Sequence, residues 1–249
     1  MRKSYSSVSL FGQCPYRWKL KYIDGLRTLP DTEPDNPLYL GLAIHKGFET
    51  GSVEEAIKEY KSHYHIITDK NENWIIQIEY QVQQMLSLLP KGGEHEICVQ
   101  TDNFIGYIDY ICGDTLYDFK FSNNVDRYKK STQTNVYLSK LKQVRPDIEI
   151  NHLVYVIIPK LMIRQKKTET VETFRNRLRN ELKNTKISLV EVDIDENAEK
   201  DFNECCKIID NVLEYPKNQT KLCSWCEFKD FCESNGEINY NIVRKEDVK

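Results

Sequence analysis

The sequence predicts an α/β fold in which a mixed central β-sheet is flanked by helices. The apolar periodicity is helical over about the first 90 residues, becomes strand-like between 94 and 121, and then alternates between the two. In addition, HLVYVIIP at 152–159 is a nearly continuous apolar and β-branched run, which is typical of a strand buried on both faces. Alternating helices and strands favour a layered α/β arrangement.

The first part of the chain is predicted to be helical. Residues 4–23 follow a Ser-rich start and carry apolar side chains four residues apart, although Pro15 should break or kink this helix. Residues 27–38 hold three prolines and three acids, as expected for a loop. A further helix is expected to begin near Tyr39. Two amphipathic helices follow, at 53–65 and 72–89.

The middle of the chain is predicted to contain a β-hairpin or two neighbouring strands. Two aromatic-rich apolar runs, 104–112 and 115–121, flank the turn signal Gly113-Asp114. A further strand is expected at 94–100. The remaining elements are predicted as helices at 126–143, 169–183 and 196–214 and as strands at 152–159 and 187–194.

These two strands carry the residues with the clearest chemistry. Because side chains alternate between the faces of a strand, Asp118 and Lys120 should share one face while Phe119 points to the other. Asp109 on the preceding strand would add a second carboxylate. Two carboxylates can bind a hard divalent cation, and the lysine could hold a water or a phosphate. The pattern suits metal-assisted phosphodiester hydrolysis, although an isolated Asp-x-Lys triplet is more often a surface ion pair.

Composition limits the possible classes of protein. The chain has 249 residues, of which 40% are hydrophobic and 29% charged, an ordinary profile for a soluble protein with a substantial core. It has neither an apolar run of about 18 residues nor a signal-peptide pattern, so we expect a cytoplasmic protein.

The distribution of charge leaves nucleic-acid binding open. The net charge of −3 argues neither way, but residues 160–186 carry nine Lys/Arg against three Glu. This segment could face phosphates, or it could be an ordinary solvated helix surface.

Four of the eight cysteines are predicted to bind a metal centre. Cys223, Cys226 and Cys232 form a C-x-x-C-x-x-x-x-x-C cluster, which indicates metal rather than disulfides in a cytosolic protein. A tetrahedral metal or an iron–sulfur cluster needs a fourth ligand, and Cys14 is the best candidate. Spacing alone leaves zinc and iron–sulfur equally open. The other cysteines are expected to be small buried apolar residues: Cys98, Cys112, Cys205 and Cys206.

Six motifs occur in a fixed order along the chain. They are Ser6 to Pro15 with Trp18, Leu20 and Tyr22; Gly41-x-x-x-His45-x-x-x-Glu49; Gly106-x-x-Asp109; Asp118-x-Lys120; Gln133-x-x-x-Tyr137; and Cys223, Cys226 and Cys232. Each is weak alone, but the series resembles the RecB-type nucleases of the PD-(D/E)XK superfamily. Within them it is similar to the iron–sulfur branch, which includes CRISPR adaptation nucleases and the AddB helicase-nuclease subunit. Asp118 stands where CRISPR-type members commonly have Glu, and both residues occur in the superfamily.

The resemblance implies roles for these residues. Asp109 and Asp118 would bind Mg²⁺ or Mn²⁺, together with His45 and the backbone carbonyl of Phe119. Lys120 would position or help to deprotonate the attacking water and stabilise charge on the phosphate. The supporting residues would be Glu49 beside the metal site and Gln133 and Tyr137 on DNA or against that site. A structural 4Fe–4S cluster would be held by Cys14, Cys223, Cys226 and Cys232, with structural Zn²⁺ as the alternative.

The resemblance also implies a function and an organisation. We expect a restriction-endonuclease-like core in a DNA exonuclease that acts on single-stranded ends and leaves 5′-phosphates and 3′-hydroxyls. It would serve DNA repair, recombination or CRISPR-type processing in a bacterial, archaeal or phage-infected cell, with a separate helicase, recombinase or integrase as a possible partner and no membrane. The alternative is a non-catalytic, partner-dependent DNA-binding iron–sulfur subunit of a helicase-nuclease or integration complex. Residues 1–249 would form one nuclease domain, with the cysteine cluster in 1–25 and 215–235 and the catalytic core in 40–160.

Overall fold

The chain folds as two units, which are described separately, in a computed structural model that covers residues 1–29 and 31–244. The central unit comprises Thr32–Gln100 and Gly106–Glu196. The terminal unit comprises Met1–Asp31, Thr101–Ile105 and Asn197–Lys249. The prediction of one nuclease domain over 1–249 stays a prediction.

The helices and strands lie close to their predicted positions. The helices are α1 (Tyr5–Gln13), α2 (Pro15–Tyr22), α3 (Pro37–Thr50), α4 (Val53–Ser62), α5 (Asp69–Leu88), α6 (Val125–Lys129), α7 (Gln133–Val144), α8 (Val171–Asn184), α9 (Ala198–Asn211) and α10 (Lys229–Glu233), and a 3₁₀ helix covers Lys221–Trp225. The strands are β1 (Leu26–Thr28), β2 (Glu94–Gln100), β3 (Ile105–Cys112), β4 (Thr115–Phe121), β5 (His152–Ile158), β6 (Ser188–Val192) and β7 (Ile242–Arg244). Among the described residues, none of the helices has the length and apolar character needed to cross a bilayer.

A five-stranded mixed sheet of order β2-β3-β4-β5-β6 organises the central unit, which confirms the predicted fold class. Strand β4 pairs antiparallel with β3 and parallel with β5, and β5 pairs antiparallel with β6. The two-residue turn between β3 and β4 contains Gly113, whose φ of 59° is a left-handed conformation that glycine adopts without steric cost.

Helices cover both faces of this sheet. On one face, Phe119 and Val156 pack with Ile44 and Phe48 of α3 and with Met85 of α5. On the other face, the hydroxyl of Tyr155 accepts a hydrogen bond from the backbone N–H at the start of α7. All residues of β5 after His152 are buried, as the apolar run predicts.

Two predicted boundaries are wrong, and in both cases tertiary contacts explain the difference. The helix expected over 126–143 is broken into α6 and α7, where Ser131 between them hydrogen-bonds to the Tyr155 hydroxyl at 2.9 Å. The loop expected over 27–38 begins with the end of β1, which pairs antiparallel with β7 more than 200 residues away. A contact this distant leaves no local signal in the sequence.

The terminal unit is organised around Trp18. Its indole N–H donates to Ser7 at 3.0 Å, and its ring stacks on Tyr215 with centroids 6.0 Å apart. Pro15 separates α1 from α2, as predicted, and Cys14 caps the second helix in an extended conformation. The prediction that the remaining cysteines are buried holds for Cys206 but is wrong for two of them: Cys98 and Cys205 are exposed.

Candidate active site

The candidate site lies just beyond the last residue pair between β3 and β4. Their paired residues run from Cys112–Thr115 to Tyr110–Tyr117, and Asp109 follows just beyond. There the carboxylate of Asp109 accepts the backbone N–H of Phe119 at 2.5 Å. The side chain thus satisfies a strand donor at this point, which fixes one of its oxygens and leaves the other for the site.

Asp118 and Lys120 share one face of β4, as strand alternation predicts. The ammonium of Lys120 lies 2.5 Å from Asp118 Oδ2. The Asp118 side chain is 2% exposed and that of Lys120 is 22% exposed, so the lysine forms the solvent side of the pair. Phe119 points away into the core beneath α3, as expected.

His45 reaches the same site from α3. Its Nδ1 lies 3.6 Å from Asp109 Oδ1. The ring stands edge-on to Phe119 with centroids 5.3 Å apart, and this contact helps to fix its orientation. The predicted pairing of a helix histidine with a strand carboxylate is therefore present in the geometry.

Glu96 completes the group, and the sequence reasoning missed it. Its Oε1 lies 3.4 Å from His45 Nδ1. Potential ligand atoms of His45, Glu96 and Asp109 all lie within 4.8 Å of one another, which makes these residues a possible metal site. An acid in a predicted strand was the available signal, but strand periodicity gave no reason to choose Glu96.

The backbone of β2 turns Glu96 toward the site. Glu96 has a φ of 49°, a left-handed conformation that is uncommon for a residue other than glycine. The preceding His95 is held by aromatic contacts, with ring centroids 5.2 Å from Phe48 and 4.5 Å from Tyr110. Backbone strain of this kind persists where surrounding contacts enforce it, and it often occurs at functional sites.

The remaining predicted residues take different positions. Glu49 is exposed, forms an ion pair with Lys46 at 3.0 Å and is not a member of the three-residue group. Gln133 donates to the Tyr137 hydroxyl at 3.0 Å, one turn along α7. Burial is the main cause, and the charge of Asp118 the second, of a rise in the pKa of Tyr137 to about 12. The roles assigned to all the predicted site residues, including Glu49 and the Phe119 carbonyl, stay predictions.

Burial disfavours the charged forms of both aspartates. Burial, and then the charge of Asp118, raises the pKa of Asp109 to about 7. Burial also raises the pKa of Asp118, although Lys120 opposes this shift. For Lys120, burial alone would lower the pKa, but the charges of Asp118 and Asp109 outweigh it and raise the pKa. The lysine is therefore an ammonium at neutral pH.

These residues fit a divalent cation. Burial acts to lower the pKa of His45, but the hydrogen bond to Glu96 and the charge of Asp109 raise it overall. That hydrogen bond lowers the pKa of Glu96. A cation would favour the ionised form of both crowded aspartates, and a donor set of carboxylate oxygens with one imidazole suits Mn²⁺ or Mg²⁺.

The four predicted cluster cysteines line one cavity of about 520 Å³ within the terminal unit. Cys14 Sγ accepts the backbone N–H of Arg17 at 3.5 Å, and Cys223 Sγ accepts that of Thr220 at 3.4 Å. Burial raises the pKa of both Cys226 and Cys232. The chain therefore brings together, from both ends, the four thiols that the motif analysis selected.

The chain matches a known protein family over most of its length. The family model described as PD-(D/E)XK nuclease superfamily matches residues 2–233. The matched span contains the site residues of β3 and β4 and all four cavity cysteines, and it ends one residue beyond Cys232. A search of curated proteins finds no match.

The geometry predicts that Glu96 contributes to metal binding. Glu96→Ala should weaken Mn²⁺ binding by about 10–100-fold, because one of three converging ligands is lost. The measurement is the Mn²⁺-dependent rise in melting temperature. Glu94→Ala, on the same strand and paired only at the surface with Arg145, should retain the full rise. Equal Mn²⁺ responses in Glu96→Ala and the unmodified protein would contradict the assignment.

The raised pKa of Asp109 predicts that metal affinity falls in acid. Below a pKa of about 7 the carboxyl holds a proton that the cation must displace, so the apparent association constant for Mn²⁺ should drop by about tenfold per pH unit. Protonation of His45, whose pKa is also raised, should steepen the decrease. Isothermal titration calorimetry in two buffers of different ionisation enthalpy should detect the released proton. An affinity that is constant between about pH 6 and 8 would refute this prediction.

Proposed function

The chain belongs to the PD-(D/E)XK nuclease superfamily, and from this premise we propose that it is a metal-dependent DNA exonuclease acting on single-stranded ends. The observation that carries the proposal is the convergence of His45, Glu96 and Asp109 beside the Asp118–Lys120 pair. The exonuclease assignment and the preference for single strands rest on the motif resemblance to the RecB-type branch. The products would be 5′-phosphates and 3′-hydroxyls.

Each side chain has a distinct task in the proposed hydrolysis. Bound Mg²⁺ or Mn²⁺ would supply Lewis-acid chemistry and a more acidic water. Asp109 and Asp118 would hold the cation with His45 and Glu96. Asp109 is oriented by the Phe119 N–H, so its free oxygen is already directed before substrate arrives.

Lys120 is assigned to the phosphate. The charges of Asp118 and Asp109 raise its pKa, which favours the ammonium form. A cation in this position attracts the phosphodiester and stabilises the additional charge of the pentavalent transition state. It can also orient the attacking water through its N–H groups. Asp118 keeps this ammonium in place through the 2.5 Å ion pair.

We further propose that Cys14, Cys223, Cys226 and Cys232 hold a structural 4Fe–4S cluster. The cavity and its N–H···S hydrogen bonds fit thiolate ligands. The choice of an iron–sulfur cluster over zinc rests on the motif resemblance, and the cluster would tie the two ends of the chain together without a redox step in hydrolysis.

Removing the Asp118–Lys120 pair should abolish cleavage. Asp118→Asn and Lys120→Met should each reduce metal-dependent cleavage of end-labelled single-stranded DNA by on the order of 10²–10³-fold. Asp126→Asn, at an exposed ion pair on α6, should cleave normally. Circular dichroism melts establish that each variant is folded. Normal activity in either pair variant would overturn the mechanism, whereas native protein that binds DNA but never cuts it would support the alternative DNA-binding subunit.

The cluster assignment predicts colour and composition. Protein purified without oxygen should be brown and contain equimolar iron and sulfide. Cys223→Ser should lose iron and lower the melting temperature, because the metal centre stabilises only the folded state. Cys205→Ser, at an exposed cysteine of α9, should retain both. A colourless protein with one zinc per chain would instead establish the zinc alternative.

A further inference from the structure

Helix α3 presents to solvent the same face that carries His45. Successive residues of a helix are separated by about 100°, so the residues of this face fall within an arc of about 100°. They are Leu38, Gly41, Leu42, His45 and Glu49. The opposite side of α3 is buried in the core and consists of Leu40, Ala43, Ile44, Gly47 and Phe48.

Two large apolar side chains lie exposed on this face. Leu38 is 63% exposed and Leu42 is 43% exposed, although α3 already has a complete buried face. Leu42 precedes His45 by three residues and Leu38 precedes it by seven. Both leucines therefore lie on the same face of α3 as His45. Two neighbouring exposed leucines beside the candidate metal site offer an apolar contact to a ligand bound there.

Gly41 is a second unusual residue on this face, because packing within the chain does not require glycine there. It lies inside a helix, where glycine is less stable than alanine, and its φ is not in the left-handed region. A Cβ built at Gly41 would meet no atom within 4 Å. Gly47 on the buried face differs, because its Cβ would lie 2.7 Å from Ala56 and 2.8 Å from Val82. Packing requires glycine at position 47 and does not at position 41.

We propose that Gly41 leaves the space through which a single DNA strand reaches the metal site, and that Leu38 and Leu42 contact its unstacked bases. A glycine is the residue that allows a ligand to approach the backbone closely, and Gly41 lies one turn before His45. The bases of a duplex are paired and stacked, whereas those of a single strand are free to pack on a protein surface. This inference rests on the proposed function and adds to it the path of the strand.

The test is a size series at position 41. Gly41→Ala should raise the melting temperature by about 2–4 °C, because the helix is improved and nothing clashes. The same change should reduce single-strand cleavage by on the order of tenfold, and Gly41→Leu should reduce it further. Gly12→Ala, in α1 and also with an open Cβ position, controls for helix propensity and should leave cleavage unchanged. A loss of cleavage that grows with side-chain size from alanine to leucine is the result expected if position 41 must stay open.

The leucines are tested in parallel. The double variant Leu38→Ala/Leu42→Ala should raise KM for single-stranded DNA with little change in kcat. Leu189→Ala, at a 48% exposed position on β6, should change neither.

A binding assay tests Gly41 without cleavage. Binding of a fluorescein-labelled single strand, measured by fluorescence anisotropy with Ca²⁺ in place of Mg²⁺, should weaken in Gly41→Leu. Cleavage and binding at native levels in both Gly41 variants would overturn the inference. If the native protein never cut DNA, the proposed hydrolysis would fail, while the anisotropy would still decide the role of Gly41.

Discussion

The site depends on placing two aspartates in a largely dry position where neither is easily ionised. Asp109 and Asp118 each have a raised pKa, and one ammonium, Lys120, lies against Asp118. Without a cation this arrangement costs folding free energy, because ionising either group in the interior is disfavoured. The surrounding core holds the acids in place despite that cost. Phe119 anchors β4 between them, since its side chain is buried under α3 and its N–H is bound to Asp109.

The order of strands explains why the acids meet at this point. Strand β4 is antiparallel to β3 and parallel to β5, so its β5 side is fully paired while its partner β3 departs beyond Tyr110. Opening the sheet on one side exposes backbone donors, and the Asp109 carboxylate accepts one of them. The opening also gives His45 from α3 and Glu96 from the edge strand β2 access to the same carboxylate.

Local sequence patterns predicted those parts of the site that depend on the alternation of side chains along a strand and on the residues of a tight turn. Alternation along β4 placed Asp118 and Lys120 together, and the Gly113 turn signal indicated the strand pair. Glu96 could not be found in this way, because its position depends on one left-handed residue enforced by contacts of His95. The division of one predicted helix into α6 and α7 has a similar cause in the Ser131–Tyr155 hydrogen bond. Sequence periodicity indicates whether a segment is a helix or a strand as a whole. The left-handed Glu96 and the break between α6 and α7 depend instead on single tertiary contacts, which periodicity does not show.

The two glycines of α3 show how a functional requirement can be separated from a structural one. Gly47 satisfies a packing constraint, because a Cβ there would collide with Ala56 and Val82. Gly41 weakens the helix, relieves no clash and adopts an ordinary helical backbone, so selection for folding alone would favour alanine. Gly12 of α1 has an equally open Cβ position, so the open position alone does not identify a functional glycine. What distinguishes Gly41 is its place one turn before His45, where the proposed DNA strand would approach the metal site.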